Sequence, residues 1–436
     1  MLINALLLVI KGLLTYQGSF TMNKRRVVIT GLGVVACNGI GRDSFWKANI
    51  EGRSGVSRIT CFNTDDFDVK IAGEIKDFDP SLYMPSEIVK KVDRFVHFGL
   101  ACTRMAIDDS RLDLTQEDKY RVGVIIGSGL GGMMFHEEQM VAILEKGVNR
   151  INPSSVPRIS PNAVSSHIAI QHGLLGPNMV ISTACASGSH AVGEAFRKIQ
   201  WGDMDVCVTG GVEATLTRLN FGAYCALRVL SKYNDVPQEA SRPFDLKRDG
   251  FILSEGGGGL ILEELEHALK RNAPIYAEVT GYASNSGARH MVMPDLTGDD
   301  AARVMADALK DAGQERSQVD YINAHATSTV QNDRAETKAI KSVFGEQAYK
   351  IPISSTKSMI GHSLGAAGGI EAVVCALAIK NKFIPPTINY KDRDPECDLD
   401  YVPHEGRKAE LKTVLSNSFG FGNCNACIVF SDFKGA

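Results

Sequence analysis

The chain repeats its own plan. Val28-Ile-Thr-Gly-Leu-Gly-Val-Val-Ala-Cys-Asn-Gly39 is echoed by Glu278-Val-Thr-Gly-Tyr-Ala-Ser-Asn-Ser-Gly287. The helical stretch Ala101–Asp109 and the strand Val122–Gly127 are echoed by Ala301–Ala312 and Tyr321–His325. The strand, turn and helix around Cys185 return as Ile351-Pro-Ile-Ser-Ser-Thr-Lys357 and the helix after it. Gly258-Gly-Leu-Ile-Leu-Glu-Glu264 returns as Asn425-Ala-Cys-Ile-Val-Phe430. Each match is weak alone, but four in the same order describe one α/β unit used twice.

Strands alternating with helices predict parallel sheets covered on both faces. The helix that opens Gly365-Ala-Ala-Gly-Gly369 is lined with side chains small enough to lie between two sheets. Two such halves packed face to face bring matching turns to the middle, so Cys185 and the segment Lys357–His362 share one site. No Pro/Gly/Ser-rich linker separates the halves. One compact body is therefore expected, with residues 22–275 as its first half and 276–436 as its second.

Charge and cysteine usage narrow the class. With 22% charged residues and a net charge of −3, this is an ordinary globular composition, which argues against a nucleic-acid binder. The ten cysteines stand singly except Cys424 and Cys427, whose C-x-x-C runs into the strand Ala426–Phe430 and not a metal loop. Neither a zinc site nor a disulfide framework fits, and a reducing cytoplasm does. Leu2–Leu14 is apolar but interrupted by Asn4 and Lys11, and is too short to span a bilayer. It lacks a basic start and a clear small-x-small cleavage site, so a secretory signal fits poorly, and the absence of Arg weakens a mitochondrial transit reading. Residues 1–21 are read as an extension outside the fold.

Cys185, in Ile181-Ser-Thr-Ala-Cys-Ala-Ser-Gly-Ser-His190, follows a buried strand and opens a helix. A free Cys is most often an inert core residue. Over a helix N-terminus, though, a thiol meets unpaired N–H groups and the positive end of a dipole, and a lowered pKa is expected. Ala184, Ala186, Ser187 and Gly188 leave room for a substrate. Three more segments fall at corresponding turns: Asn323-Ala-His325-Ala-Thr327-Ser-Thr329, Lys357-Ser-Met-Ile-Gly-His362 and the aromatic loop Asn417-Ser-Phe-Gly-Phe421-Gly-Asn423. A thiolate, two imidazoles and a lysine suit acyl transfer on thioesters. The sulfur holds the acyl group, imidazole N–H groups hold the enolate left when a carboxylated partner loses CO2, and backbone N–H groups hold the other oxyanion. This chemistry calls for no metal and no organic cofactor.

These motifs together resemble the β-ketoacyl-acyl carrier protein synthases, of the elongating kind and type II more than type I, in the thiolase superfamily. The likeness runs from about Lys24 to Phe433. It implies duplicated thiolase-like halves in an α-β-α-β-α sandwich, and decarboxylative condensation of an acyl group on Cys185 with malonyl-acyl carrier protein. By the same resemblance Cys185 is the nucleophile, His325 and His362 are the paired histidines, and Lys357 is the lysine. Glu371 supports that network, Thr327 and Thr329 contact the pantetheine arm, and Phe419 and Phe421 belong to the acyl-pocket gate. Ser241-Arg-Pro-Phe-Asp245 and Arg248-Asp-Gly250 match a structural signature. Lys90, Lys91 and Arg228 align with basic residues that dock the acidic carrier protein. A homodimer is implied as well.

The departures are local. Ala326 and Val330 stand where the family carries Gly and Pro, which predicts a looser loop. Asn423-Cys424 replace Gly-Thr in the C-terminal loop, where Gly admits positive φ more readily. A thiolase would use a second Cys as base, and Cys424 lies in a suggestive place. An initiating synthase carries Asn where His362 stands, and a chain-length partner subunit would have lost Cys185. A polyketide-type synthase shares the same catalytic residues.

Overall fold

The computed structural model describes residues 24–435, so the extension expected at 1–21 lies outside the described residues. Ten strands carry the fold. In the first half they are β1 (Val27–Ala36), β2 (Val122–Gly127), β3 (Asn178–Ile181), β4 (Val206–Glu213) and β5 (Gly256–Glu264). In the second they are β6 (Ala277–Ser286), β7 (Tyr321–Asn323), β8 (Ile353–Ser354), β9 (Thr413–Gly420) and β10 (Cys424–Ser431).

The duplication is visible in the strand order. The first half runs β3-β2-β4-β5-β1 and the second β8-β7-β9-β10-β6, third strand to first in both. The directions match as well. β2 is parallel to β3 and β4, β7 to β8 and β9, while β5, β1, β10 and β6 pair antiparallel with their neighbours. The sheets are thus mixed, correcting the expectation of parallel ones. The physical reason is clearest at β9 and β10, which are joined by Phe421–Asn423 alone. A parallel crossover needs a dozen residues or more. The two ladders meet where Val27–Ile29 pair with Ala277–Val279, so one continuous sheet path spans both halves.

Four helices complete the layers, as the resemblance implied. α1 (Arg94–Ser110) covers the outer face of the first half, α2 (Ser187–Gln200) and α4 (Ala367–Asn381) fill the middle, and α3 (Asp299–Ala312) covers the second. α1 starts at Asp93, whose carboxylate accepts from the Phe95 N–H at 3.3 Å, and stops at Arg111 in the left-handed conformation. Ala367 to Ile379 of α4 is buried without interruption, because that helix faces β4 and β5 on one side and β9 on the other. Small residues permit this. A side chain at Gly188 would put its Cβ 2.6 Å from the Gly369 nitrogen, so bulk there would push α2 and α4 apart. Val192, Phe196 and Ile199 of α2 pack with Val373, Val374 and Leu377 of α4 in the central core. Each such side chain contributes about 1.5–3 kcal/mol relative to exposure. The two middle helices begin at the corresponding turns, and this brings the candidate residues together.

Candidate active site

Cys185 sits on a tight elbow between Ile181, which ends β3, and Ser187, which begins α2. Ala184 takes φ 51°, a left-handed conformation that costs a non-glycine residue about 1–3 kcal/mol. Local hydrogen bonds hold it there. The Ser187 hydroxyl donates to Ala184 O at 2.6 Å and accepts from Thr183 N–H at 2.9 Å. Ala186 N–H and Ser187 N–H donate to the carbonyls of Thr183 and Ala184, both at 3.2 Å.

Burial overturns the expected thiol acidity. The N–H groups of Ala186 and Ser187 are taken by the elbow's own carbonyls. Burial pushes the Cys185 thiol up to about 12, opposed by the Lys357 charge and by the Phe421 N–H that approaches the sulfur. The resting residue is a thiol.

His325 lies two residues beyond β7, and the helix Val330–Phe344 fixes its backbone. The Glu336 carboxylate on that helix accepts from His325 N–H at 2.9 Å, Ala326 N–H at 2.8 Å and the Asn417 amide at 3.1 Å. Burial raises that carboxyl to about 7. His362 is held by its backbone: its N–H donates to Ile252 O at 2.7 Å and its carbonyl accepts from Ser254 N–H at 3.0 Å. The two rings stand 5.4 Å apart and nearly perpendicular, with Phe419 5.6 Å from His325 and Phe251 5.3 Å from His362. Burial first and the Lys357 charge second hold both imidazoles well below 6.5, so both are neutral. Neither ring hydrogen-bonds to any described residue, which leaves an N–H on each for a ligand.

Lys357 and Glu371 form an ion pair with both side chains 2% exposed. Burial lifts the Glu371 carboxyl to about 7 against the pull of the ammonium. The Lys357 carbonyl is anchored by the Ser241 hydroxyl at 2.6 Å, which gives the Ser241–Asp245 signature its work.

One cleft gathers Cys185, His325, His362, Thr327, Thr329, Phe419 and Phe421, with Val292, Met293 and Pro294 as the facing wall. The hydroxyls of Thr327 and Thr329 meet at 3.1 Å. The loop after them is tied down by a buried arginine. Arg248 donates to Thr329 O at 3.2 Å and Val330 O at 3.1 Å, and its guanidinium is itself paired with Asp333 and Asp394. Asn423 occupies φ 55°, the conformation Gly would favour there. Cys424 is not in the cleft wall, although its neighbours Asn423 and Asn425 are. A second catalytic thiol therefore has no support. Lys90 and Lys91 are exposed after the short helix Ser86–Val89 and line no part of the cleft; Arg228 is exposed beside Val229, which does.

Sequence reasoning missed Glu336, Glu213 and the role of Asn423. Glu213 accepts from the N–H groups of Gly129 at 2.7 Å, Leu130 at 3.2 Å and Gly365 at 3.1 Å, stitching loops of the two halves together. A single Glu at a strand end or on an amphipathic helix carries no signal of its own.

A duplicated fold with a thiol and two neutral imidazoles in one cleft defines a ketosynthase, and the chain belongs to the beta-ketoacyl synthase family. The model of the family's N-terminal domain matches residues 24–268 and that of its C-terminal domain residues 276–391. The enzyme class is acyltransferase. Among named relatives, the 3-oxoacyl-[acyl-carrier-protein] synthase 2 of Coxiella burnetii is 47% identical, over 94% of this chain and 99% of its own length. The synthase of the same name from Synechocystis is 46% identical over 95% and 99%. Among solved structures, a ketosynthase bound to the hexaketide and in complex with its type II PKS acyl-carrier protein is similar at TM-score 0.88. It is 38% identical, with 94% of this chain and 100% of that chain covered. A beta-ketoacyl synthase from Burkholderia phymatum gives TM-score 0.87 at 33% identity, covering 94% and 100%.

Proposed function

We propose that the chain elongates acyl chains on acyl carrier protein by decarboxylative condensation. The convergence of Cys185, His325 and His362 on one cleft carries this reading. The Cys185 sulfur attacks the acyl thioester, the bond to the carrier's sulfur breaks, and the carrier thiol leaves with the proton. Malonyl-carrier protein then enters along Thr327 and Thr329. Its C–CO2 bond breaks, and the N–H groups of neutral His325 and His362 hold the enolate oxygen. The enolate carbon attacks the acyl carbonyl, whose oxyanion lies against the N–H groups of Phe421 and Cys185. The bond to Cys185 breaks, giving 3-oxoacyl-carrier protein, and the thiolate regains a proton from water. The Lys357 ammonium helps keep the histidines neutral by placing a positive charge nearby, and Glu371 holds that ammonium; neither contacts substrate.

The fatty-acid pathway is favoured over polyketide synthesis by the higher identity to synthases named for 3-oxoacyl products. Lys90, Lys91 and Arg228 are proposed to dock the carrier protein. A homodimer is supported by the exposed apolar side chains of Leu144, Val148 and Val156, which are 66–80% exposed; light scattering returning the monomer mass would remove it. Ten free thiols support a cytoplasmic setting.

The test uses purified protein with acyl- and malonyl-carrier protein, reading CO2 and product by mass. One condensation per acyl chain is expected, and none from Cys185→Ala. Wild-type turnover by that variant refutes the mechanism, whereas repeated condensation without reduction points to polyketide chemistry.

A further inference from the structure

The turn that carries Phe421 is held by more than the hairpin it closes. Asn423, 4% exposed, reaches across to the facing wall of the cleft. Its Oδ1 accepts from the N–H groups of Arg289 and His290, both at 3.0 Å, and its Nδ2 donates to Met293 O at 3.0 Å. Two backbone contacts run beside these, from Gly422 N–H to Met291 O at 2.7 Å and from Gly287 N–H to Asn423 O at 3.0 Å. One short amide thus uses three of its four hydrogen-bonding positions on a single neighbouring segment. That segment also supplies Val292 and Met293 to the cleft. On its other side the turn abuts the cysteine elbow. A Cβ on Gly420 would lie 2.7 Å from Thr183 O and 3.3 Å from the Ala186 nitrogen.

We infer that Asn423 is a positioning residue that clasps the Phe421 turn to the wall at Arg289–Met293, and so sets both access to Cys185 and the placement of the Phe421 N–H beside it. With the clasp closed, the turn, the wall and the elbow form one rigid rim. Freed of the side chain, the turn keeps its backbone shape but loses its fixed distance from the sulfur.

The inference rests on Cys185 being the nucleophile, so its test reads the thiol directly and needs no condensation. Asn423→Gly is the informative variant, since Gly adopts φ 55° without strain and loses only the side-chain ties. Alkylation of Cys185 by iodoacetamide, followed by mass spectrometry, should accelerate about tenfold or more, three hydrogen bonds having been lost. Asn423→Asp keeps both acceptor contacts and loses the donor, so its rate should fall between wild type and Asn423→Gly. With acyl- and malonyl-carrier protein, Asn423→Gly should lower kcat and leave KM for the malonyl form nearly unchanged, a split that general loosening would not give. An Asn423→Gly protein with an unchanged melt that alkylates at the wild-type rate overturns the inference. Should that variant fail to fold, a wild-type alkylation rate in Asn423→Asp overturns it equally.

Discussion

Replacing Lys357 by Met removes the ammonium from a pair whose two side chains are each 2% exposed, and leaves the Glu371 carboxylate alone in the core. Removing one partner of a buried pair costs about 3–5 kcal/mol. Glu371 already sits at about 7 with the lysine beside it. Without the lysine its pKa rises further and it takes up a proton at neutral pH, which holds the cost near the lower limit, about 3 kcal/mol. Unfolding entropy of about 2.1 cal/mol/K per residue converts this to a Tm lower by about 3–4 °C for a chain of this size. Calorimetry at pH 7.5 measures it. The double variant Lys357→Met/Glu371→Gln carries neither charge and should recover more than half of the loss. The pH profile supplies an independent reading. Lys357 is the second cause, after burial, of the low pKa of both histidines, so its removal lets them climb toward 6.5. The imidazoles work as neutral N–H donors above that pKa, so residual condensation by the variant should fall from pH 8 to pH 6 more steeply than wild type. A Tm within about 1 °C of wild type, or a double variant as unstable as the single, would refute the argument that this pair is a buried charge couple.

Two further expectations concern protons elsewhere. With burial holding the Cys185 thiol at about 12, its alkylation rate should rise about tenfold per pH unit from 7 to 9 with no plateau; a plateau below pH 8 would mean a resting thiolate. His267 lies 2.9 Å from both Glu117 and Glu263, contacts that hold its pKa above 6.5. A raised folded-state pKa contributes stability that is full below the unfolded value and lost as pH rises through the folded one. The Tm advantage of wild type over His267→Gln should therefore shrink from pH 6 to pH 8.5, and a constant gap would remove the linkage.

The architecture was legible because the duplication is written in local patterns. Val28–Gly39 and Glu278–Gly287 became β1 and β6, and the turns at Cys185 and Lys357 became matching entries to the two middle helices. The site was legible for the same reason, since symmetry placed residues distant in sequence at equivalent turns. Strand direction was not legible between β4 and β5, because the long connection there, residues 214–255, is compatible with a parallel crossover or an antiparallel return. Glu336 and Asn423 were hidden for another reason. Each acts on backbone N–H groups, and a backbone group leaves no trace in residue identity. The thiol's acidity failed as an expectation because it turned on burial, which the packed cleft imposes on the sulfur and which the local strand–turn–helix pattern does not carry.

The seam between the halves also sets a schedule for making the protein. β1 is buried along its whole length, and its long-range partners are β5 and β6, the nearer of which begins at Gly256. At ribosomal speeds of about 5–20 residues per second, the nascent chain carries an unpaired apolar strand for roughly 10–50 s before its first long partner is made. The strand that joins the finished molecule is thus the one left waiting during synthesis. Demand for chaperones in producing this enzyme should follow elongation rate more than final stability.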